Sequence, residues 1–373
     1  MTTGAPARVP FLDLLPSYEE LAAELDAAAR RVLGSGWYVL GPEVEAFERA
    51  FADHAGTRHC VGVGSGLDAL HLALLALGVG PGDEVLVPSN TYIATWLAVS
   101  RAGAVPVPVE PDPVTGNIDP ARLEAARTPR TRAVLPVHLY GLPADMAAIG
   151  AFAARHGLPV LEDAAQAHGA ALHDRRAGAL GTAAAWSFYP TKNLGAIGDG
   201  GAVTTDDDDL AERLRSLRNY GSRRKYVNDE RGFNSRLDEL QAALLAVKLA
   251  HLDAWNARRA TIAGRYLAGL TGVRLPVVPA GAVHAWHVFA VHTPARDDLA
   301  GHLARRGVGT LMHYPTPPHL SGAYRDMGLR PGDLPVAERL ARETLSLPMG
   351  PQLGDADVDR VLEAVAAWDG ADG

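Results

Sequence analysis

From residue 59 onward, short apolar runs alternate with segments whose apolar positions recur every three or four residues. The runs His59–Val63, Glu84–Pro88, Ala104–Val109, Arg132–His138, Leu158–Glu162, Ala184–Tyr189 and Gly201–Thr205 show no regular in-out alternation, as expected of strands covered on both faces. Helical periodicity fills 66–78, 91–102, 119–127, 143–157 and 207–217 between them. This succession predicts an α/β fold, a mostly parallel seven-stranded sheet flanked by helices. Two helices precede it, over 16–33 and 42–55. Leu21, Leu25, Ala28 and Val32 share one face of the first, and Gly34 stops it.

The rhythm breaks at 218–236. This stretch carries Arg218, Arg223, Arg224, Lys225, Arg231 and Arg236 against two acids and has neither a helical nor a strand period. A single long helix is expected next, over 237–270. A strand over 286–292, a helix over 297–306, a proline-rich turn (HYPTPPHL) and two closing helices follow. The expected division is a large domain over 1–250, including an N-terminal helical segment at 10–55, and a small α+β domain over 251–373. The acidic run Asp206–Asp209 falls where a helix starts, where the helix dipole favours negative charge.

Composition narrows the function classes. The chain has 373 residues and a formal net charge of −8, which disfavours a nucleic-acid binder. Its one cysteine, Cys60, allows no internal disulfide and no cysteine-based metal site, in keeping with a reducing cytoplasm. No stretch reads as a signal peptide or a membrane span. Core packing is the expectation for Cys60.

Three stretches carry candidate chemistry. In AAAWSFYPTKNLGAIGDGGAV, Lys192 lies in a turn between two apolar runs. A lysine kept partly from water loses proton affinity and can serve as a nucleophile. In GVGSGLDALHLALLAL, Gly62, Gly64, Ser65 and Gly66 join a strand to a helix. That is either a plain tight turn or an anion cradle at a helix N-terminus. Leu67 stands where a dinucleotide fingerprint needs its last glycine, which weakens a nicotinamide-binding dehydrogenase. In VLEDAAQAHGA, Asp163 sits at a strand end, as a cap or as the acceptor of a ring N–H⁺, with Gln166 three residues on. Lysine, carboxylate and phosphate cradle together are what pyridoxal phosphate requires. Ser187 adds a hydroxyl for the phosphate, and Tyr92 a ring to stack on the cofactor.

The same residues carry a resemblance. VPFLDL, GVGSGLDALHL, VPSNTYIAT, VHLYGLPADM, EDAAQAHGA, SFYPTKNLGAIGDGGAV, RNYGS, GFNSRLDELQAA and GTLMHYP resemble the DegT/StrS sugar aminotransferases over about residues 10–368. The closest branch acts on dTDP-3-keto-6-deoxyhexoses. The resemblance implies the type I fold of pyridoxal-phosphate enzymes, the aspartate aminotransferase fold. It makes Lys192 the lysine that holds the cofactor as an imine and shuttles its proton, and Asp163 the pyridinium partner. Gln166 would lie against the phenolic oxygen, Ser65, Gly66 and Ser187 would hold the phosphate, and Tyr92 would stack on the ring. Asn234 would reach the phosphate of a neighbouring subunit, implying a homodimer with shared active sites. Tyr220, Lys225 and Arg236 would face the substrate's diphosphate, and Tyr189, His313 and Tyr314 the sugar. L-glutamate would be the amino donor. A dehydratase branch has histidine in place of the lysine, so Lys192 favours transamination. Amination at C4 of the sugar, amination of a keto-cyclitol, and a regulatory protein that binds the cofactor without catalysis remain the alternatives.

Overall fold

The structure, a computed structural model, describes residues 8–370. Its central sheet is built from seven strands: β1 (His59–Val63), β2 (Glu84–Pro88), β3 (Val105–Val109), β4 (Thr131–Val134), β5 (Leu161–Asp163), β6 (Ala183–Ser187) and β7 (Gly201–Thr205). They form a four-stranded piece, β1-β7-β6-β5, and a three-stranded piece, β3-β2-β4. Parallel bridges Val134–Val160 and Val137–Asp163 join the two, so the order is continuous. The seam is thin because Pro136 and Pro159 supply no N–H. Each contributes only its carbonyl, to Asp163 N at 2.8 Å and to Val134 N at 3.1 Å. β7 runs antiparallel to both β1 and β6, and the other sheet pairings are parallel.

Helices cover both faces. On one, α3 (Gly66–Ala76), α4 (Ala94–Arg101) and α6 (Asp208–Leu217) enclose Leu70, Trp96, Val99 and Leu214 against Val61 and Val85. The other face is closed by α2 (Pro42–Ala55) and α7 (Glu239–Leu249), with Phe47, Phe51, Leu245 and Trp186 at its centre. Between α4 and α6, α5 (Met146–His156) covers the β4–β5 seam through Ile149 and Phe152. Cys60 lies in the second of these cores, 2 % exposed. A further core gathers Ile262, Tyr266, Phe289, Leu345 and Val361. Val9 joins it, fully buried, and exchanges backbone hydrogen bonds with Gly307 and Gly309.

Two expectations need correction. The helix expected over 237–270 is two helices, α7 and α8 (Leu252–Gly269), parted at Ala250–His251. The halves serve different cores: Ala242 and Leu245 face the sheet, whereas Ile262 and Tyr266 face the C-terminal core. One straight axis does not reach both. The stretch 218–236 does contain strand, a small hairpin of Ser222–Arg224 against Val227–Asn228. Most of its side chains are exposed, so no burial imposed an apolar period on the sequence. The two closing helices are Pro335–Glu343 and Asp355–Ala366, and between them Thr344–Leu347 is a strand paired with Phe289–His292. Asp207 caps α6 by accepting from Leu210 N at 2.9 Å. Among the described residues no helix is long and apolar enough to cross a membrane.

Candidate active site

β6 ends at Ser187, and the chain folds back through Tyr189 and Pro190 into the lysine turn. Lys192 N donates to Tyr189 O at 2.8 Å, and Ala196 N returns to Phe188 O at 2.8 Å. The turn is so tight that a Cβ on Gly195 would stand 2.3 Å from Pro190 O. Burial pulls the Lys192 ammonium down from 10.5 to about 8, and the carboxylate of Asp163 partly opposes it. A share of this lysine is therefore neutral amine near physiological pH.

Asp163 closes β5 at the carboxyl ends of the parallel strands, where open α/β sheets bind ligands. It is 6 % exposed. Oδ2 accepts from Thr95 Oγ1 at 2.8 Å and Oδ1 from Ala165 N at 3.2 Å. Burial raises its pKa, while these two donors, Lys192 and His138 work against the rise. Glu162, next to it, is held differently. Fully buried, it accepts from His138 Nε2 at 2.8 Å and from the backbone N–H groups of Gly178, Leu180 and Gly181. Glu162 is saturated by fixed donors, whereas Asp163 has no cationic side chain bonded to it. That leaves Asp163 as the carboxylate able to take a ring N–H⁺.

The glycine turn meets the lysine turn here. Ser65 caps α3 by accepting from Asp68 N at 3.1 Å. A Cβ on Gly66 would fall 2.6 Å from Ser187 Cβ, and one on Gly201 2.4 Å from Ser65 C. Glycine at both positions lets the head of α3 touch the ends of β6 and β7. The N–H groups of that head and the hydroxyls of Ser65 and Ser187 share one corner, the composition of a phosphate cradle. Ser187 Oγ also accepts from Tyr189 N at 3.3 Å.

Gln166 bridges to the sugar-side residues. Its Oε1 accepts from Tyr140 N at 2.5 Å, and its Nε2 donates to Tyr314 OH at 2.9 Å. The Tyr314 ring lies 5.1 Å from that of Tyr92, and the Tyr140 hydroxyl donates to His313 O. His313 Nδ1 pairs with Ser346 Oγ at 2.8 Å, and burial, with the Lys192 charge second, pulls the ring down to about 4. A cavity of about 760 Å³ opens beside the lysine turn, lined by Thr191, His287, His313 and the arm from Arg8 to Leu14. Tyr189 and Tyr92 are about half exposed.

Tyr220, Lys225, Asn234 and Arg236 stand apart. Arg236 lies over the Tyr220 ring at 5.5 Å and donates to Asn219 Oδ1. Lys225 covers Tyr226 at 5.2 Å at the hairpin tip. Asn234 is exposed and bridges to Asn219 through the backbone. Among the described residues no hydrogen bond joins these four to Lys192 or Asp163. The base of the arm is nevertheless tied to the glycine turn. Ser235 Oγ accepts from Gly64 N at 3.0 Å and donates to Asp68 Oδ2 at 2.8 Å, and Arg218 reaches both Glu48 and Gly62 O.

Four residues that touch this site escaped sequence reasoning: Thr95, Tyr140, Asn193 and His287. Thr95 follows Tyr92 by three positions at a helix head, a spacing that could have placed it. Asn193 adjoins the lysine. Tyr140 lies within the quoted stretch VHLYGLPADM without being singled out, and His287 left no local signal, because a chain reversal far from any quoted motif brings it in.

Pyridoxal phosphate fits this donor set. A buried carboxylate held by neutral donors, an amine of lowered proton affinity and a glycine-floored helix head meet in one place. The comparisons agree. Residues 19–366 match the DegT/DnrJ/EryC1/StrS aminotransferase family. The chain is 61% identical over 362 residues to the erythromycin biosynthesis sensory transduction protein EryC1 of Saccharopolyspora erythraea, covering 96% of this chain and 99% of that one. It is 60% identical over 364 residues to the dTDP-3-amino-3,4,6-trideoxy-alpha-D-glucose transaminase of Streptomyces venezuelae, covering 97% and 96%. The crystal structure of S. venezuelae DesV in complex with a ketimine intermediate superposes with a TM-score of 0.96 at 59% identity, covering 98% of this chain and 99% of that one. A half-buried lysine, its carboxylate and the glycine cradle thus stand in a chain that belongs to the DegT/DnrJ/EryC1/StrS aminotransferase family.

Proposed function

We propose that the protein is a pyridoxal-phosphate transaminase that turns a dTDP-linked 3-keto-6-deoxyhexose into the 3-amino sugar, with L-glutamate as donor. The observation that carries it is the pairing of Lys192, held near a pKa of about 8, with Asp163, a buried carboxylate without a cationic hydrogen-bond partner. The 3-amino product follows the name of the S. venezuelae transaminase, 60% identical. When bound, the cofactor supplies an electron sink for the pair released as a C–H bond beside the amine breaks.

The chain's residues then divide the work. Lys192 would hold the cofactor, and its neutral amine would take the proton from the donor's Cα as a general base and return it as an acid. Asp163 keeps the pyridine nitrogen protonated, with Thr95 and Ala165 fixing its oxygens. The head of α3, with Ser65, Gly66 and Ser187, holds the phosphate. Gln166, fixed by Tyr140 and Tyr314, sets the orientation of the ring, and Tyr92 covers it. Tyr189, His313 and Tyr314 line the sugar side. The arm carrying Tyr220, Lys225, Asn234 and Arg236 is assigned to the substrate's diphosphate and to the cofactor phosphate of a second subunit. The working form is therefore a homodimer, and the exposed rings of Trp37, Tyr38 and Phe233 suit a face that a partner covers.

The name of the 61% identical relative raises a second reading, a regulatory protein that binds the cofactor without turnover. Lys192, Asp163 and Gln166 together weigh against it, since passive binding has no use for a proton-moving amine. One titration separates the two. The visible absorption band of the purified holoenzyme bleaches on adding L-glutamate if the donor half of the reaction runs, and returns on adding a 3-keto sugar nucleotide. A band indifferent to glutamate and to other amino donors rejects the transaminase. Return of the band with 4-keto sugars alone moves the amination to C4.

A further inference from the structure

Behind the lysine turn, a chain of side-chain amides ends on a histidine that no step above uses. Asn256 Nδ2 donates to His168 O at 2.8 Å, and Asn256 Oδ1 accepts from Asn193 Nδ2 at 2.9 Å. Asn193 Nδ2 also donates to Ala285 O at 2.8 Å, and Asn193 Oδ1 faces His287 Nδ1 at 3.1 Å. The two ends of this relay that are backbone carbonyls can only accept. They fix which way both amides point, because turning either one would set oxygen against oxygen. The last link is then decided: Asn193 offers an oxygen, so Nδ1 of His287 carries the hydrogen.

The ring also stays neutral. Burial, and then the charges of Lys192 and Arg259 with His313 and His168 behind them, hold His287 well below the usual histidine range. Arg259 is itself buried, 4 % exposed, and donates to Trp286 O at 3.1 Å. A neutral imidazole with its hydrogen on Nδ1 has a bare lone pair on Nε2. Among the described residues no group hydrogen-bonds that nitrogen, and the ring lines the cavity of about 760 Å³ together with Thr191 and His313.

We propose that His287 is a substrate-binding residue whose Nε2 accepts a hydrogen bond from a hydroxyl of the keto sugar. This rests on the transaminase reading above. The choice of ligand follows from the charges. A carboxylate would meet the bare lone pair with its own, and an ammonium would enter beside Lys192 and Arg259, two cations. A neutral hydroxyl meets neither penalty. The ring is held by Asn193, the residue after Lys192, so the sugar is fixed by the same turn that carries the reacting amine.

Two measurements test this. In the histidine-labelled holoenzyme, nitrogen NMR assigned with His287→Gln shows His287 protonated on Nδ1 and bare on Nε2. An Nε2–H tautomer or an imidazolium overturns the proposal. In steady-state kinetics, His287→Leu raises the KM for the keto-sugar nucleotide about tenfold, the scale of one hydrogen bond, and leaves the KM for glutamate unchanged. His287→Gln, which keeps an acceptor, recovers most of the loss. A rise confined to the glutamate KM, or equal loss in both variants, overturns the proposal. If the wild type aminates no keto sugar, the functional reading falls with it, while the tautomer still reports on the relay by itself.

Discussion

The pocket around Lys192 and the arm over 219–236 both carry charged groups and treat them in opposite ways. In the pocket both carboxylates are buried and fixed: Asp163 by Thr95 and Ala165, Glu162 by His138 and three backbone amides. In the arm Lys225, Asn234 and Arg224 are exposed, and the arginine Arg223 pairs with Glu212 across exposed surface at 2.9 Å. Buried charge at low dielectric changes proton affinity, whereas exposed charge chiefly steers and docks ligands. Lys192, Asp163 and the glycine turn meet within one chain, whereas the proposed dimer would carry the arm to a second subunit.

The sharpest way to break this contrast is Lys192→Ala. It removes both the anchor and the proton carrier, so turnover falls by more than about 10⁴-fold, the upper range for one acid–base group. The fold persists, as circular dichroism and the thermal midpoint report. Turnover within tenfold of the wild type would show that the pocket is not the reacting site.

Asp163→Asn comes next. Removing one partner of a buried charge pair costs about 2–5 kcal/mol, so the donor half-reaction slows by at least about 30-fold. The variant also shifts a pH profile. Asp163 raises the pKa of Lys192 against the pull of burial. Without its charge, the ammonium gives up its proton at lower pH. Uptake of pyridoxal phosphate by the cofactor-free chain accelerates as pH rises through about 8 in the wild type, and in Asp163→Asn that midpoint moves down. An upward shift would contradict the geometry.

Much of the pocket was legible in the sequence because its parts sit on local signals. Lys192 and Asp163 lie at strand ends, and Gly66 lies in a strand-to-helix turn whose glycine a close approach enforces. The sheet was legible because doubly buried strands are unbroken apolar runs. What stayed hidden is long-range. His287 reaches the site through Asn193, 94 positions away in the chain, and nothing near His287 announces it. The break between α7 and α8 was hidden because an apolar period records which face is buried and not which core buries it. The hairpin of the arm was hidden for the opposite reason, since little of it is buried.

Gly66→Ala probes the floor of the cradle without touching a charge. Its Cβ would lie 2.6 Å from Ser187 Cβ, so the head of α3 must move away from β6. Such overpacking costs about 1–3 kcal/mol. Cofactor retention through dialysis falls, with little change in the pH midpoint for Lys192. Unchanged retention would separate this turn from the phosphate.

Asn234→Ala tests whether the arm serves another subunit. Its own loss is modest, on the order of the 1–3 kcal/mol of a lost hydrogen bond to a charged group. Complementation reads more clearly. Mixed with Lys192→Ala and allowed to exchange subunits, it yields hybrid dimers in which one site bears both changes and the other bears neither. By the statistics of a two-fold assembly, about a quarter of all sites are then intact, and activity exceeds that of either variant alone. Activity that merely averages the two would confine the arm to its own chain.

The smallest effect belongs to Lys225→Ala at the hairpin tip. Lys225 is exposed and lies over the Tyr226 ring, so its removal leaves the thermal midpoint unchanged. Exposed charge pairs contribute about 0.2–1 kcal/mol. The KM for the nucleotide sugar therefore rises by no more than about fivefold, and that for glutamate stays constant. The rise shrinks as salt is added, because the Debye length falls to about 3 Å at 1 M. Solvent screens the tip of the arm, whereas protein encloses the lysine turn, so the Asp163→Asn shift in the Lys192 midpoint largely survives the same salt. If salt erased both effects alike, or neither, the distinction between a docking arm and a reacting pocket would fail.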